Sequence, residues 1–266
     1  MIKVSRSSYY KPRRNNRKSE EKSVQEAVIH CFEQNKGNYG RIRIRKALLK
    51  QGTEISEYII AKVLKNNGLK AKSGRKKTYR KTKPAAEVYL EENLLKDKFT
   101  IQTPNKLWCS DITELKCRNR KIYVCGIIDA ATRRITGWSI SKTQTQDIVQ
   151  NAFKMALGRN RKRIPEGAIY HSDRGSQYTA KKTKELVESS GFLKSMSRPG
   201  TPHDNQPIES FWNTLEREMP DISKMRYDEA KRTIISYIEL YYNSERMHSG
   251  INYQIPNEFF TILSVY

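Results

Sequence analysis

Apolar positions recur along this chain at two different periods, and the change between them divides it. Near the N-terminus the spacing is helical, with Val24, Val28 and Phe32 four residues apart. Next comes "RIRIRKALLKQG", carrying Ala47 and Leu48 and stopping at Gly52. "SEYIIAKVLKNNG" follows, with Ser56 as its N-cap, a stripe of Ile59, Ile60, Val63 and Leu64, and Gly68 as its C-terminal signal. Two short helices joined at "GTEI" predict a helix-turn-helix unit, with a small helical bundle bearing a solvated basic face as the alternative. From residue 107 the period falls to two. "LWCSDITEL", "KIYVCGIIDA" and "RRITGWSIS" predict three strands in an antiparallel meander. A helix ("TQDIVQNAFKMALG"), a strand ("GAIYHSDRG"), a helix ("AKKTKELVESSG"), a strand ("FLKSMSRP") and a helix opening at "HDNQPIESF" complete the alternation. This order predicts the α/β class, a mixed five-stranded sheet with helices on its faces, preceded by a small all-α domain. A terminal amphipathic helix places Ile234, Ile235, Ile238, Tyr241 and Tyr242 on one side.

Segments without either period set the remaining boundaries. Residues 1–22 read as a basic, mobile arm, 23–69 as the helix-turn-helix-like domain and 70–104 as a basic linker with a short helix at 85–98. Residues 105–220 read as the sheet domain and 221–266 as a terminal helix and tail packed on it. Charge follows the same division. The net charge of +23 implies a polyanionic partner, and up to Lys83 there are 24 basic residues against 6 acidic. Double-stranded DNA is the expected ligand of that half, through Arg41, Arg43, Arg45 and Lys46 in the helical unit and Arg75, Lys76, Lys77 and Arg80 in the linker. No apolar run reaches the roughly 18 residues a membrane span needs, and no secretory pattern opens the chain, so a soluble, cytoplasmic protein is expected. Cys31, Cys109, Cys117 and Cys125 lack paired CxxC spacing and are expected to be reduced core thiols.

The candidate chemistry lies in three carboxylates. Asp111 falls in the first predicted strand, Asp173 at the end of the fourth, and Glu209 in the first turn of the helix that follows the fifth. If the first and fourth strands are neighbours, the three meet at one edge of the sheet. Clustered oxygen ligands suit Mg²⁺ or Mn²⁺, and two such ions about 3.5–4 Å apart promote in-line phosphoryl displacement. Asn205, beside the expected cap, either orders this loop, contacts DNA or serves as a plain cap. His171 is more readily structural than catalytic, and Trp108, Trp138 and Trp212 are expected as core or interface aromatics.

"NKLWCSDITEL", "YHSDRGSQYTA" and "SMSRPGTPHDNQPIESFWNTL" resemble, in order and spacing, the integrase-core segments of bacterial insertion-sequence-three transposases, specifically their second-reading-frame product. Thirty-five residues separate Asp173 from Glu209, the spacing of the D,D(35)E pattern shared with retroviral integrases. "VSRSSYYKPR", "NYGRIRIRKALLKQG" and "YYNSERMHSGINYQIPNEF" extend the resemblance over nearly the whole chain. It implies an RNase H-like fold, with Asp111, Asp173 and Glu209 as catalytic ligands of Mg²⁺ or Mn²⁺, two ions per site. The implied reactions are nicking at element ends and 3′-OH strand transfer, by a homodimer or larger assembly possibly fused to or partnered with a first-reading-frame protein.

Two positions depart from that family. Lys or Arg is usual seven residues after the glutamate; here Glu216 stands there, with Arg217 about 100° round the helix, so either Arg217 swings in as the phosphate contact or that contact is lost. Gln206 stands where a small residue is usual. Arg246 and His248, in the tail, are further candidates for reaching DNA, with a solvated turn as the alternative. Competing functions are a DNA-binding regulator with an inactive core and an RNase H-like nuclease that never joins strands.

Overall fold

The computed structural model describes residues 6–72, 93–95, 101–198 and 205–264, and it divides into two compact units, Met1–Ser73 and Gly74–Tyr266. The expected linker residues Arg75, Lys76, Lys77 and Arg80, and all but a few residues of the expected helix at 85–98, lie outside the described residues.

The first unit is three helices, α1 (Arg6–Gln34), α2 (Arg41–Lys50) and α3 (Glu57–Asn66). The irregular arm expected over 1–22 is corrected: α1 is helical from Arg6. An amphipathic period is a signal of burial, and a run of Arg, Lys, Glu and Gln is helix-permissive without one. Val28, Phe32, Ile44, Leu48, Ile60 and Leu64 close the small core, whereas Ile59, expected in the stripe, is 42% exposed. Ser56 caps α3 by accepting from the Ile59 N–H (3.3 Å), and Gly52 and Gly68 take the positive φ that ends each helix.

The second unit is built on β1 (Leu107–Cys117), β2 (Arg120–Asp129), β3 (Ile135–Ser141), β4 (Ile169–Ser172) and β5 (Leu193–Met196), in the order β3-β2-β1-β4-β5. The meander β1-β2-β3 is antiparallel, while β4 pairs with β1 and β5 with β4 in parallel. This is the mixed five-stranded sheet that the element order predicts. Helix α4 (Gln146–Asn160) covers one face with Ile148, Val149, Ala152, Phe153 and Ala156. It approaches closely because Gly137 lacks a side chain: a Cβ there would collide with the Ala152 carbonyl and lie 2.8 Å from the Ala156 methyl. Two short helices, α5 (Ser176–Thr179) and α6 (Lys181–Ser189), complete that side.

Helix α7 (Gln206–Glu218) covers the opposite face, burying Ile208, Phe211, Trp212 and Leu215 at i, i+3, i+4 and i+7. The terminal segment joins the same core through α8 (Tyr227–Ser236) and a π-helical turn (Tyr237–Tyr242), and α9 (Pro256–Ser264) follows. The single amphipathic helix expected there is interrupted at the π turn. Asn243 beyond it bonds both backbone groups of Ile135, at 2.9 and 3.0 Å, and so satisfies the start of an edge strand.

Arg246 is corrected as a DNA contact. It is 2% exposed and holds the fully buried Glu218 at the end of α7 with two bonds, Nε to Oε2 at 2.6 Å and Nη2 to Oε1 at 2.8 Å. Arg217 Nη2 also reaches Glu218 Oε1, at 3.0 Å, so it too is engaged within the fold. The sequence signal misled because an Arg in a polar "NSERMHS" stretch looks solvated until its buried partner, 28 residues earlier, is placed beside it. His248, the neighbouring candidate, is half-buried and accepts the Gly250 N–H at Nδ1 (3.0 Å) within its own turn.

Burial pushes the Glu218 carboxyl up, but the bonds and charges of Arg246 and Arg217 outweigh it and hold it below its usual range. A carboxyl lowered in the folded state contributes stability that is present above its unfolded pKa of about 4.3 and is lost as pH falls through the folded value. Arg246→Ala strands the charge and should cost about 3–5 kcal/mol, while the paired swap Glu218→Leu with Arg246→Met should be near neutral. Thermal melts at pH 7 and below pH 4 check both. Acid should narrow the gap between wild type and Arg246→Ala, and should lower wild type relative to the paired swap.

Candidate active site

Alternation along β1 sends Cys109, Asp111, Thr113, Leu115 and Cys117 to the face that α7 covers. The parallel ladder between β1 and β4 ends at Ser110 opposite Ser172. Asp111 follows on β1 and Asp173 is the first residue beyond β4, so the two lie just past the last paired residues of neighbouring strands. The neighbouring-strand condition set by the sequence is met. Asp173 opens the turn into α5, and its Oδ1 accepts the Gly175 N–H at 2.9 Å, which fixes the carboxylate's direction.

Glu209 lies in the first turn of α7, and the entry to that helix is tied to β1. Asn205 does not cap α7 with its side chain. It is buried and donates from Nδ2 to the Ser110 carbonyl at 2.8 Å, beside Asp111, while its Oδ1 is buried without a hydrogen-bond partner among the described residues. One helical turn beyond, the Trp212 indole N–H donates to Asp111 Oδ2 at 2.9 Å. Beneath Asp111, on the other face, Ser110 Oγ meets the buried Tyr178 hydroxyl at 3.1 Å.

The three carboxyl groups interact electrically. Asp111 is pushed up to about 8 by burial first, then by Asp173 and by Glu209, with the Ile112 and Trp212 N–H groups opposing. Burial also raises Asp173, partly offset by the Gly175 N–H. Among the described residues no three acidic, His or Cys side chains converge tightly enough to hold an ion as they stand. The donor set is nonetheless all hard oxygen, which suits a divalent cation.

Other candidates fall away from this edge. His171 is buried between Ser195 Oγ (2.9 Å) and Ser197 Oγ (3.0 Å). All four cysteines are free and buried, and burial pushes Cys109 and Cys125 up to about 12, far from thiolate. Asp129 is a buried acid at the far end of β2 that accepts from Thr132 Oγ1 (2.6 Å) and the Asn105 N–H (3.1 Å). In the first unit, Arg41 and Arg45 reach Glu57 at 3.4 and 3.7 Å, and Arg43 lies 5.8 Å from the Tyr39 ring centroid. Arg43, Arg45 and Lys46 are half-buried. Sequence reasoning placed Trp212 in the core and missed its bond to Asp111. The available signal was its position three residues after Glu209, on the same face of the helix.

An integrase core domain model matches residues 102–202, a second integrase core model matches 190–256, and an HTH-like domain model matches 18–77. The chain is 36% identical over 244 residues to the transposase for insertion sequence element IS904 of Lactococcus lactis, covering 90% of this chain and 94% of that protein. It is 32% identical over 268 residues to transposase InsF for insertion sequence IS3A of Escherichia coli, covering 97% and 91%. The chain belongs to the IS3 family of insertion-sequence transposases. Among solved structures it is similar to the HTLV-2 integrase catalytic core domain in complex with magnesium, at 20% identity and a TM-score of 0.42 over 57% of this chain and 97% of that one. Membership of a transposase family with an integrase core carries divalent-metal dependence with it.

The raised Asp111 carboxyl has a definite sign. Between its unfolded value of about 3.9 and about 8, the folded transposase holds a proton that the unfolded chain has released, so metal-free stability falls as pH rises through that window. Asp111→Asn should therefore raise the melting temperature in chelator, by more at pH 8 than at pH 5. Added Mn²⁺ should stabilise wild type and leave the variant unchanged; differential scanning fluorimetry reads all four conditions.

Proposed function

We propose that the protein nicks DNA at the ends of an insertion sequence and joins the freed 3′-OH to a second phosphodiester, with Asp111, Asp173 and Glu209 as the metal-binding triad. The observation that carries this reading is the β1–β4 register, which sets the two aspartates side by side while α7, bearing Glu209, is hydrogen-bonded to the same strand. The residues fit a divalent cation: three hard carboxylates, of which Asp111 is raised by the other two, and a buried Asn205 Oδ1 that has no hydrogen-bond partner among the described residues. Mg²⁺ or Mn²⁺, two ions per site, would be held by the three carboxylates and would supply the positive charge that favours in-line attack on phosphorus.

The chain's own groups orient that site. The Gly175 N–H aims Asp173, the Trp212 N–H aims Asp111, and a helix rather than a loop carries Glu209. In nicking, a water oxygen bonds to phosphorus as the bond to the 3′ oxygen breaks, leaving a 3′-OH and a 5′-phosphate. In joining, that 3′-OH attacks a second phosphodiester and expels its 3′ oxygen. The bonds made and broken are equivalent, so no nucleotide cofactor is needed.

DNA is held by the basic half of the chain. In helix-turn-helix units the second helix enters the major groove, and α3 leaves Tyr58, Ile59, Lys62 and Lys65 exposed. These residues, with the linker arginines and lysines, are the proposed contact surface. Paired ends call for a homodimer or larger assembly, alone or fused to a first-reading-frame protein. The proposed location is the bacterial cytoplasm at the nucleoid; among the described residues no helix is long and apolar enough to cross a membrane.

The test is a labelled duplex carrying the element's terminal repeat, incubated with Mn²⁺ or Mg²⁺ and the chain alone or as the fusion. Nicked and joined products should fall by about a hundredfold or more in Asp173→Asn and in Glu209→Gln, without loss of duplex binding. Binding without cutting by wild type in either form favours the regulator; cutting without joining favours the nuclease. At the departure site, Glu216→Lys should tighten duplex binding and steepen its salt dependence by about one unit of log–log slope, measured by fluorescence anisotropy across a salt series.

A further inference from the structure

Asp111 faces Gly126 across the β1–β2 ladder. That glycine is the site of an unusual contact. A Cβ at Gly126 would lie 2.8 Å from Cη2 and 3.1 Å from Cζ2 of Trp212, with Ile208 Cδ1 at 3.3 Å. The indole therefore lies directly on bare strand backbone, next to the aspartate in the register. From that seat its Nε1 reaches Asp111 Oδ2 at 2.9 Å. The ring is 3% exposed, packs against Phe211 with centroids 4.8 Å apart, and belongs to the core cluster beneath α7. Its place is fixed by packing on all sides, and its one polar atom is directed at a triad member.

We propose that Trp212 is a positioning residue of the metal site: it binds one carboxylate oxygen of Asp111 and so presents the other for metal coordination, with Gly126 as the seat that allows it. The inference rests on the triad reading above. A carboxylate with both oxygens free rotates about its terminal torsion and pays for its orientation when an ion binds; one held by a rigid indole is already oriented. The bond also links α7 to β1 one turn beyond Glu209, while Asn205 links them ahead of it. Glu209 is thus bracketed by two attachments to the strand that carries its partner. A simple core role for Trp212 needs the ring and is indifferent to the N–H.

The discriminating variants are Trp212→Phe, which keeps an aromatic ring on Gly126 and removes the donor, and Gly126→Ala, which keeps the donor and displaces it. Bound Mn²⁺ is followed by loss of the free-ion electron paramagnetic resonance signal in the full chain without DNA, with Asp111→Asn as the non-binding control. Both variants should weaken Mn²⁺ binding by about tenfold or more, lower the strand-transfer rate at saturating metal, and leave KM for the end duplex unchanged. Folded variants with the wild-type Mn²⁺ midpoint overturn the assignment and leave Trp212 as core. Wild type that binds no Mn²⁺ overturns the triad reading itself, a separate result. If neither variant folds, the indole N–H resonance of Trp212 in the wild-type protein decides: it should move when Mg²⁺ is added and in Asp111→Asn, and an N–H indifferent to both refutes the proposal.

Discussion

Mutual repulsion among three carboxylates is the constraint that the second unit of this protein is built to withstand. Asp111 feels burial, Asp173 and Glu209 together. Something other than their own interaction must hold them at one edge of the sheet. The backbone ladder between β1 and β4 supplies the first part, because hydrogen-bonded strands fix the spacing of the two aspartates whatever their charge. The attachment of α7 supplies the second. Asn205 and Trp212 bond it to β1 on either side of Glu209, and its apolar face is buried against the same sheet.

The far end of α7 explains why the tail belongs to the same unit. Glu218 closes the helix as a buried charge, which is tolerable only because Arg246 bonds it twice and Tyr237 lies within 3.4 Å of it. Arg246 in turn is tied to the π turn by its backbone N–H on the Tyr241 carbonyl, and Asn243 pins that region to β3. A chain of polar contacts thus runs from an edge strand, through the tail, to the helix that carries Glu209. The tail acts on the site by fixing the far end of this helix, while Asn205 and Trp212 fix the end that carries Glu209.

Much of this architecture was legible in the sequence because it rests on local signals. A period of two gives the strands, and parallel neighbours require the helical crossovers seen between β1, β4 and β5. The places of the three proposed triad residues in the fold were legible too: Asp111 inside a strand, Asp173 before a glycine turn and Glu209 after a proline-bearing cap. Illegible were the contacts between residues far apart in the chain. Arg246 reads as a surface cation until Glu218 lies against it; Trp212 reads as core until Asp111 is placed under its nitrogen; Asn205 reads as a cap while its amide serves β1 instead. In each case the residue type allowed two environments, and only the tertiary pairing chose between them. The helix over residues 6–22 escaped notice for the opposite reason, since it shows propensity without an apolar face.

The two units also divide the electrostatics. Positive charge is concentrated before residue 84, in helices whose exposed face includes Lys62 and Lys65, while the sheet unit approaches charge balance. A sheet edge with three carboxylates would by itself repel a phosphodiester. Attraction therefore has to come from the basic half and the linker, and the carboxylates become hospitable to a phosphate only when divalent charge offsets their own. On this reasoning DNA capture and metal loading are separable events with different salt and pH sensitivities. Capture follows the lysines and arginines and weakens with ionic strength. With Asp111 as the proposed ligand, loading requires release of the proton that its raised carboxyl retains, and so is favoured as pH rises toward 8.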